Sequence, residues 1–282
     1  MNRHVARAFE KTFLSRDLSR QIADCDAYEL TPLFLDLFPR NQPVLDAGCG
    51  SGRWVGWLIQ NGIAAEGVDW SESLCDRAAR QIPGGRFVAC DMAHTPFADG
   101  AYGGILALGS IEHIVQGPAE ALAEFHRLLR PSGIAVITVP FGGLLRRTRR
   151  RLERPVYWLK SRRMVRRIFG LRTNGTALVD ARRKAHADWF PRFNFGQEGW
   201  EFYEYEFDRR QVRGFLDSAG FRLQSEFICF GNEGILHTVG RLAGRWNPDR
   251  NDVDFTPIGW FLRAIMPVSW IGHMLCCVVV KE

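Results

Sequence analysis

The sequence predicts an α/β protein with a mainly parallel sheet, and two observations carry that prediction. Between Pro43 and Pro140, short β-rich apolar runs alternate with stretches whose apolar residues recur at helical spacing, the order expected of βαβ units. The first run ends in closely spaced glycines, Gly48, Gly50 and Gly52. A strand that enters such a loop before a helix lets backbone approach a ligand where any Cβ would collide, and the helix that follows begins with free amides.

The strands are expected at 43–48 (PVLDAG), 64–69 (AAEGVD), 85–91 (GRFVACD), 102–109 (YGGILALG) and 133–140 (GIAVITVP). Between them RWVGWLIQN, SESLCDRAARQ and PAEALAEFHRLLR read as helices, the last stopped by Pro131 and Gly133. After residue 207, Asp208 can cap a helix, DRRQVRGFLDSAG, followed by a strand, FRLQSEFICF, and HMLCCVVVK reads as the last strand. Two stretches interrupt this scheme: 141–206 is Arg-rich and then aromatic-rich, and 232–270 contains Gly and Trp and is partly apolar. Ligands of such sheets bind beyond the carboxyl ends of the strands, so both insertions are expected to form a substrate-facing cover on a single domain spanning 1–282.

The composition, 46% hydrophobic and 24% charged, is that of a globular protein with a sizeable core. Seven cysteines form no CxxC pair and are odd in number, which argues against a disulfide framework or a zinc site and fits a reducing cytosol. The N-terminal MNRHVARAFEKTFLSRD lacks the apolar run of about 7–15 residues of a secretory signal, so a cytoplasmic location is expected. The net charge of +6 is uneven: Leu144–Arg172 holds eleven Arg and Lys160 against Glu153, which is +11 locally and leaves −5 for the rest. Basicity belongs to one segment, not to the whole surface.

The residues at the strand ends suggest what the loop holds. A dinucleotide fingerprint wants a third glycine where Arg53 stands. Asp46, just before the glycines, would repel a pyrophosphate by on the order of 4 kcal/mol at 4 Å, and suits a cationic ligand instead. Asp69 closes the second strand, where a carboxylate can accept ribose hydroxyls. Asp91 closes the third, where it can accept from an adenine amino group while Met92 packs on the ring.

VLDAGCGSG, the acid Asp69, the acid Asp91 and the run Ile111-Glu112-His113-Ile114 occur here in that order, followed by HRLLRPSGIAVITVP. In this the chain resembles the class I S-adenosylmethionine-dependent methyltransferases, over roughly residues 40–140, 205–230 and the final strand. The resemblance implies a Rossmann-like sheet of about seven strands in the order 3-2-1-4-5-7-6, the last strand antiparallel, with helices on both faces. It implies S-adenosyl-L-methionine as cofactor, with contacts from Asp46, Gly48, Cys49, Gly50, Gly52, Asp69, Trp70, Asp91, Met92 and Leu108. Cys49 and Cys90 read as packing residues, not nucleophiles.

Methyl transfer from a sulfonium is an in-line displacement that needs positioning and, for some acceptors, a base. His113 is the candidate base; otherwise it hydrogen-bonds loop backbone. The quinone-biosynthesis O-methyltransferases hold a divalent metal with E-x-x-E-H, but Gly109 takes the place of the first acid here, so no metal is expected.

The insertions bear on the acceptor. Within 155–170, Tyr157, Trp158, Met164, Val165, Ile168 and Phe169 share one helical arc and Lys160, Arg162, Arg163, Arg166 and Arg167 the opposite one. Such a helix packs on its own protein, lies on an anionic membrane surface, or contacts nucleic acid. Between the insertions' ends, Trp200, Tyr203 and Tyr205 stand in an aromatic run that either lines an acceptor pocket or belongs to the core. An apolar helix near 258–267 either walls an acyl groove, dips into a membrane interface, or packs. The leading expectation is methylation of a small-molecule or lipid-linked glycan acceptor, at oxygen, peripheral to the inner face of a membrane. An RNA methyltransferase and a catalytically silent cofactor-binding protein are the alternatives.

Overall fold

The computed structural model describes residues 3–143, 186, 189–196, 199–247 and 252–282, so the basic helix expected at 155–170 lies outside the described residues. The chain divides into two compact units: one comprises Met1–Val139, Arg209–Phe227 and Cys276–Glu282, the other Pro140–Asp208 and Ile228–Leu275.

The first unit opens with α1 (Arg3–Leu14), α2 (Leu18–Ala23) and α3 (Thr31–Leu37). Asp17 starts α2 by accepting from Arg20 N–H, which satisfies one of the donors a helix leaves open at its first turn. The alternating region then follows: β1 (Val44–Ala47), α4 (Arg53–Gln60), β2 (Ala65–Asp69), α5 (Glu72–Gln81), β3 (Arg86–Ala89), β4 (Tyr102–Leu108), α6 (Ala119–Leu128) and β5 (Leu129–Pro140). Ser71 caps α5 through its hydroxyl, which accepts from Leu74 N–H. β1 and β2 are short and almost wholly buried, as strands of a parallel sheet covered on both faces must be.

β5 begins at Leu129, earlier than the expected 133. Leu129 is fully buried and pairs with Tyr102, so Pro131-Ser132-Gly133 is an irregularity inside the strand, with Ser132 at φ 62° and the register shifting at Tyr102/Gly104. Helix and strand therefore meet without a loop.

Two more strands complete the sheet, β8 (Phe221–Cys229), preceded by α7 (Arg209–Ser218), and β11 (Met274–Lys281). The seven-stranded order is β3-β2-β1-β4-β5-β11-β8, with β1 parallel to β2 and β4, β2 to β3, and β4 to β5. This is the expected order. β11 runs opposite to β5: Phe141 N–H donates to His273 O at 2.8 Å at one end, and Lys281 Nζ donates to Leu129 O at 2.7 Å at the other. Leu45, Trp57, Ile105, Phe125 and Leu275 are buried to within 2% of full, each worth about 1.5–3 kcal/mol of transfer from water.

The second unit contains two antiparallel hairpins among its described residues: β6 (Pro191–Gly196) with β7 (Gly199–Tyr205), and β9 (Gly244–Asn247) with β10 (Asp252–Phe255). With them stand α8 (Gly231–Val239), α9 (Pro257–Ile265) and α10 (Val268–Ile271). One of its buried clusters is Ile235, Ala243 and Ile271, flanked by Val239, Phe255, Leu262 and Met266. α9 is capped by Thr256, whose hydroxyl accepts from Gly259 N–H.

Gly104 lies in β4 where a Cβ would stand 2.4 Å from Phe38 Cδ1, a ring carbon held in the core. Gly104→Ala is expected to destabilise the fold by about 1–3 kcal/mol through overpacking. A urea midpoint unchanged from that of the parent chain would contradict this.

Candidate functional site

The glycine loop leaves β1 with Gly48, Gly50 and Gly52 all in the left-handed region, at φ 85°, 53° and 81°. Space demands glycine as well. At Gly48 a Cβ would lie 2.7 Å from Ser110 Cβ, and at Gly52 2.8 Å from the Phe87 ring. The loop is also tied down. Gly48 and Cys49 N–H both donate to Val68 O, and Gly50 N–H donates to Asp69 Oδ2 at 2.9 Å. Ser51 Oγ donates to Gln21 Oε1 at 2.9 Å, so α2 supports the same turn.

Asp46 is buried at 2% exposure at the end of β1, and its Oδ2 has no hydrogen-bond partner. Burial pushes its carboxyl up to about 7; the Arg53 guanidinium opposes this, and the Asp69 carboxylate adds to it. Ser110 Oγ, after β4, and Thr138 Oγ1, in β5, are likewise buried without a partner. Polar atoms are rarely left so in a folded interior, and three of them near the carboxyl ends of β1, β4 and β5 mark a place built for a polar ligand.

Asp69 has structural duties the sequence did not reveal. Its two oxygens accept from Gly50 N–H and from Ser71 N–H at 3.0 Å. Burial raises its carboxyl, and the donors from Ser71, Gly50 and Trp70 offset part of that rise. Each oxygen retains a second lone pair for a ligand. Trp70 is 42% exposed beside it. Asp91 is exposed, accepts from Ala93 N–H at 3.0 Å through Oδ1, and keeps Oδ2. Met92 Cε lies 3.2 Å from where a Gly48 Cβ would be, which sets the thioether against the loop. Leu108 ends β4 half-buried and pairs with Thr138. Cys49 turns inward: its Sγ occupies the space above Gly67 and its thiol hydrogen-bonds Cys75, so it meets the loop's ligand only through backbone.

His113 follows β4 on a short 3-10 turn, Ile111–His113, with Nε2 3.9 Å from Glu112 Oε1. Its ring meets Phe9 edge-on at 5.0 Å. Phe9 belongs to α1, which sequence reasoning passed over. Phe13, one helical turn on, places its ring 3.2 Å from where a Gly50 Cβ would stand. Glu10 accepts from Ser71 and Ser73, and these bonds hold its carboxyl below the usual range. The Arg77 guanidinium donates to Phe13 O, Leu14 O and Arg16 O, gathering the carbonyls that α1 leaves open. The signal was present: Phe9 and Phe13 are four apart and share a helical face.

Tyr203 and Tyr205 belong to the second unit, on β7. Tyr205 is fully buried, its oxygen accepts from His186 N–H at 3.1 Å, and its ring packs on Trp189, Phe202 and Phe207. That assigns Tyr205 to the core of its unit. Tyr203 is half-buried, and Trp200 is described only as backbone in the hairpin.

A family model described as a methyltransferase domain matches residues 45–137. The tRNA (carboxymethyluridine(34)-5-O)-methyltransferase of Xenopus tropicalis is 34% identical over 108 residues, 38% of this chain and 17% of that protein. The malonyl-[acyl-carrier protein] O-methyltransferase of Pseudescherichia vulneris is 31% identical over 150 residues, 51% of this chain and 56% of that one. The chain thus spans from about a sixth to about half of the length of these relatives. A solved S-adenosylmethionine-dependent methyltransferase from Methanosarcina mazei superposes with a TM-score of 0.56 at 14% identity, over 90% of this chain and 99% of that one, which shows a shared fold.

Because Asp46 ionises with difficulty in the fold, stability without ligand should fall as pH rises from about 4, where the unfolded group ionises, to about 7. Asp46→Asn is expected to flatten that fall and to stabilise the chain at pH 8 by on the order of 2–4 kcal/mol. Equal urea midpoints for chain and variant at pH 8 would refute it. The matched segment marks a methyltransferase domain at residues 45–137, and the strand order is the one expected of the class I S-adenosylmethionine-dependent methyltransferase fold.

Proposed function

We propose that the chain transfers the methyl group of S-adenosyl-L-methionine to an oxygen of a small-molecule or lipid-linked glycan acceptor. The observation that carries the reading is Asp46: a buried carboxylate oxygen without a partner suits the ammonium of a bound amino acid, which would satisfy the orphan oxygen and favour its ionised form. The cofactor, when bound, supplies an activated methyl group on sulfur. Asp69 and Asp91 retain acceptor capacity for ribose hydroxyls and an adenine amino group, Met92 packs against the ring, and the glycine loop gives close backbone approach. His113, after β4, takes the proton of the attacking hydroxyl. Tyr203 and Trp200 are the acceptor-side candidates on β7.

Asp46→Asn is expected to weaken S-adenosylmethionine about 10–100-fold by calorimetry. His113→Gln should leave that affinity unchanged and lower turnover by about 10²–10⁴. Labelled cofactor with fractionated cell extract decides the acceptor: label entering a soluble or lipid fraction supports the reading. Label entering RNA would replace it with the chemistry that the name of the Xenopus relative carries.

The surface of α9 and α10 favours an acceptor met at a membrane. Ile258, Trp260, Phe261, Ile265, Val268 and Trp270 are each more than two-fifths exposed, a density of exposed apolar side chains that soluble surfaces avoid. Arg263 sits over the Trp260 ring at 5.3 Å. Apolar and aromatic side chains beside Arg suit an anionic lipid surface. No described helix is long and apolar enough to cross a membrane; the attachment we propose from the exposed apolar face is peripheral, at the inner face. Trp260→Ala with Phe261→Ala should reduce sedimentation with phosphatidylglycerol vesicles by more than half. Sedimentation that matches the unsubstituted chain, or that ignores lipid charge, would sink it.

A further inference from the structure

The second unit brings together three metal-ligand side chains that methyl transfer does not use. α8 carries Glu233 and His237, four residues apart and therefore on one helical face. His273 stands just before β11. Their ligand atoms all lie within 4.8 Å of one another, and the His237 and His273 rings stack with centroids 4.4 Å apart.

Backbone contacts that only glycine permits create this meeting. At Gly234, next to Glu233, a Cβ would stand 1.5 Å from Ile271 O; at Gly272, next to His273, it would stand 2.1 Å from Ile228 Cγ2 and 2.9 Å from Cys229 O. α8 and the turn into β11 therefore touch main chain to main chain. His273 is pinned on both sides: its N–H donates to Cys229 O at 3.0 Å, and its carbonyl accepts from Phe141 N–H at 2.8 Å. The ligand backbones are set before any ion arrives, which removes most of the ordering cost from binding.

We propose that Glu233, His237 and His273 form a site for one divalent transition-metal ion of the zinc type. Two imidazoles and a carboxylate suit Zn²⁺ or Co²⁺ and disfavour Mg²⁺ and Ca²⁺, which take oxygen ligands. Tetrahedral bonds of about 2.0–2.1 Å put neighbouring ligand atoms about 3.3 Å apart, so side-chain rotation alone closes the present spacing. Three protein ligands leave a fourth position for water or an acceptor oxygen. His237 is exposed, which gives the ion a way in. The site is independent of the methyl-transfer reading, and it lies apart in sequence from Glu112 and His113.

The test is metal uptake by the chelator-stripped full chain, read by Zn²⁺ competition with a chromogenic chelator and by the visible spectrum of added Co²⁺. One equivalent is expected, with a rise in melting temperature on adding Zn²⁺. His237→Gln and His273→Gln should each weaken Zn²⁺ by at least about 10–100-fold and abolish the tetrahedral Co²⁺ band. Their metal-free melting temperatures should stay close to that of the parent chain, and Glu233→Gln provides a second ligand removal should one His variant fail to fold. His113→Gln should bind as the parent chain does. Absence of uptake, undiminished binding in both His variants, or a loss confined to His113→Gln would overturn the proposal.

Discussion

A buried carboxylate at the tip of β2 ties the cofactor end of the sheet together, since Asp69 accepts from Gly50 N–H on one oxygen and from Ser71 N–H on the other. One bond fixes the path of the glycine loop over the sheet, and the other fixes the first turn of α5. The loop can follow that path because three of its residues adopt positive φ with no Cβ to strike Ser110, Phe13 or Phe87. Burial raises the Asp69 carboxyl and these donors offset part of that rise, so their removal would free the loop and push the group higher still.

Burial raises Asp46 as well, without comparable donors to offset it. It lies one strand away, receives no donor at Oδ2, and is raised toward neutrality. The pair divides the labour between neighbouring acids: one is satisfied by the protein and shapes the loop, and the other keeps an unmet need for a cation. Strain of this kind lowers the stability of the empty fold and is recovered when a ligand supplies the missing charge. α1 adds a cover on the same side, with Phe13 against Gly50, Phe9 against His113, and the Arg77 guanidinium gathering the helix's last carbonyls.

The second unit follows a different logic. In its 231–273 stretch, glycines at 234, 244, 259 and 272 let main chains touch directly around Ile235, Ala243 and Ile271. There the elements meet backbone to backbone, and the large apolar residues Ile258, Trp260, Phe261, Ile265, Val268 and Trp270 of α9 and α10 stay exposed. That is why one short stretch presents both a tightly set cluster of ligand-type side chains and an apolar exterior.

Much of the first unit was legible from the chain alone, because its strands and helices follow periods that local sequence imposes, and because loop glycines and strand-end acids report their roles by spacing. VLDAGCGSG, Asp69 and Asp91 announced the kind of ligand, and the strand order followed from the family they resemble. What sequence could not weigh was partnership across distance. That Asp69 already serves two backbone amides, that Asp46 serves none, that Tyr205 is core and that Phe13 lies over Gly50 depend on which atoms meet after folding. Sequence fixes the inventory of donors, acceptors and apolar faces; only the folded chain decides which of them are satisfied, because hydrogen bonding and burial are set by contacts between residues far apart along it.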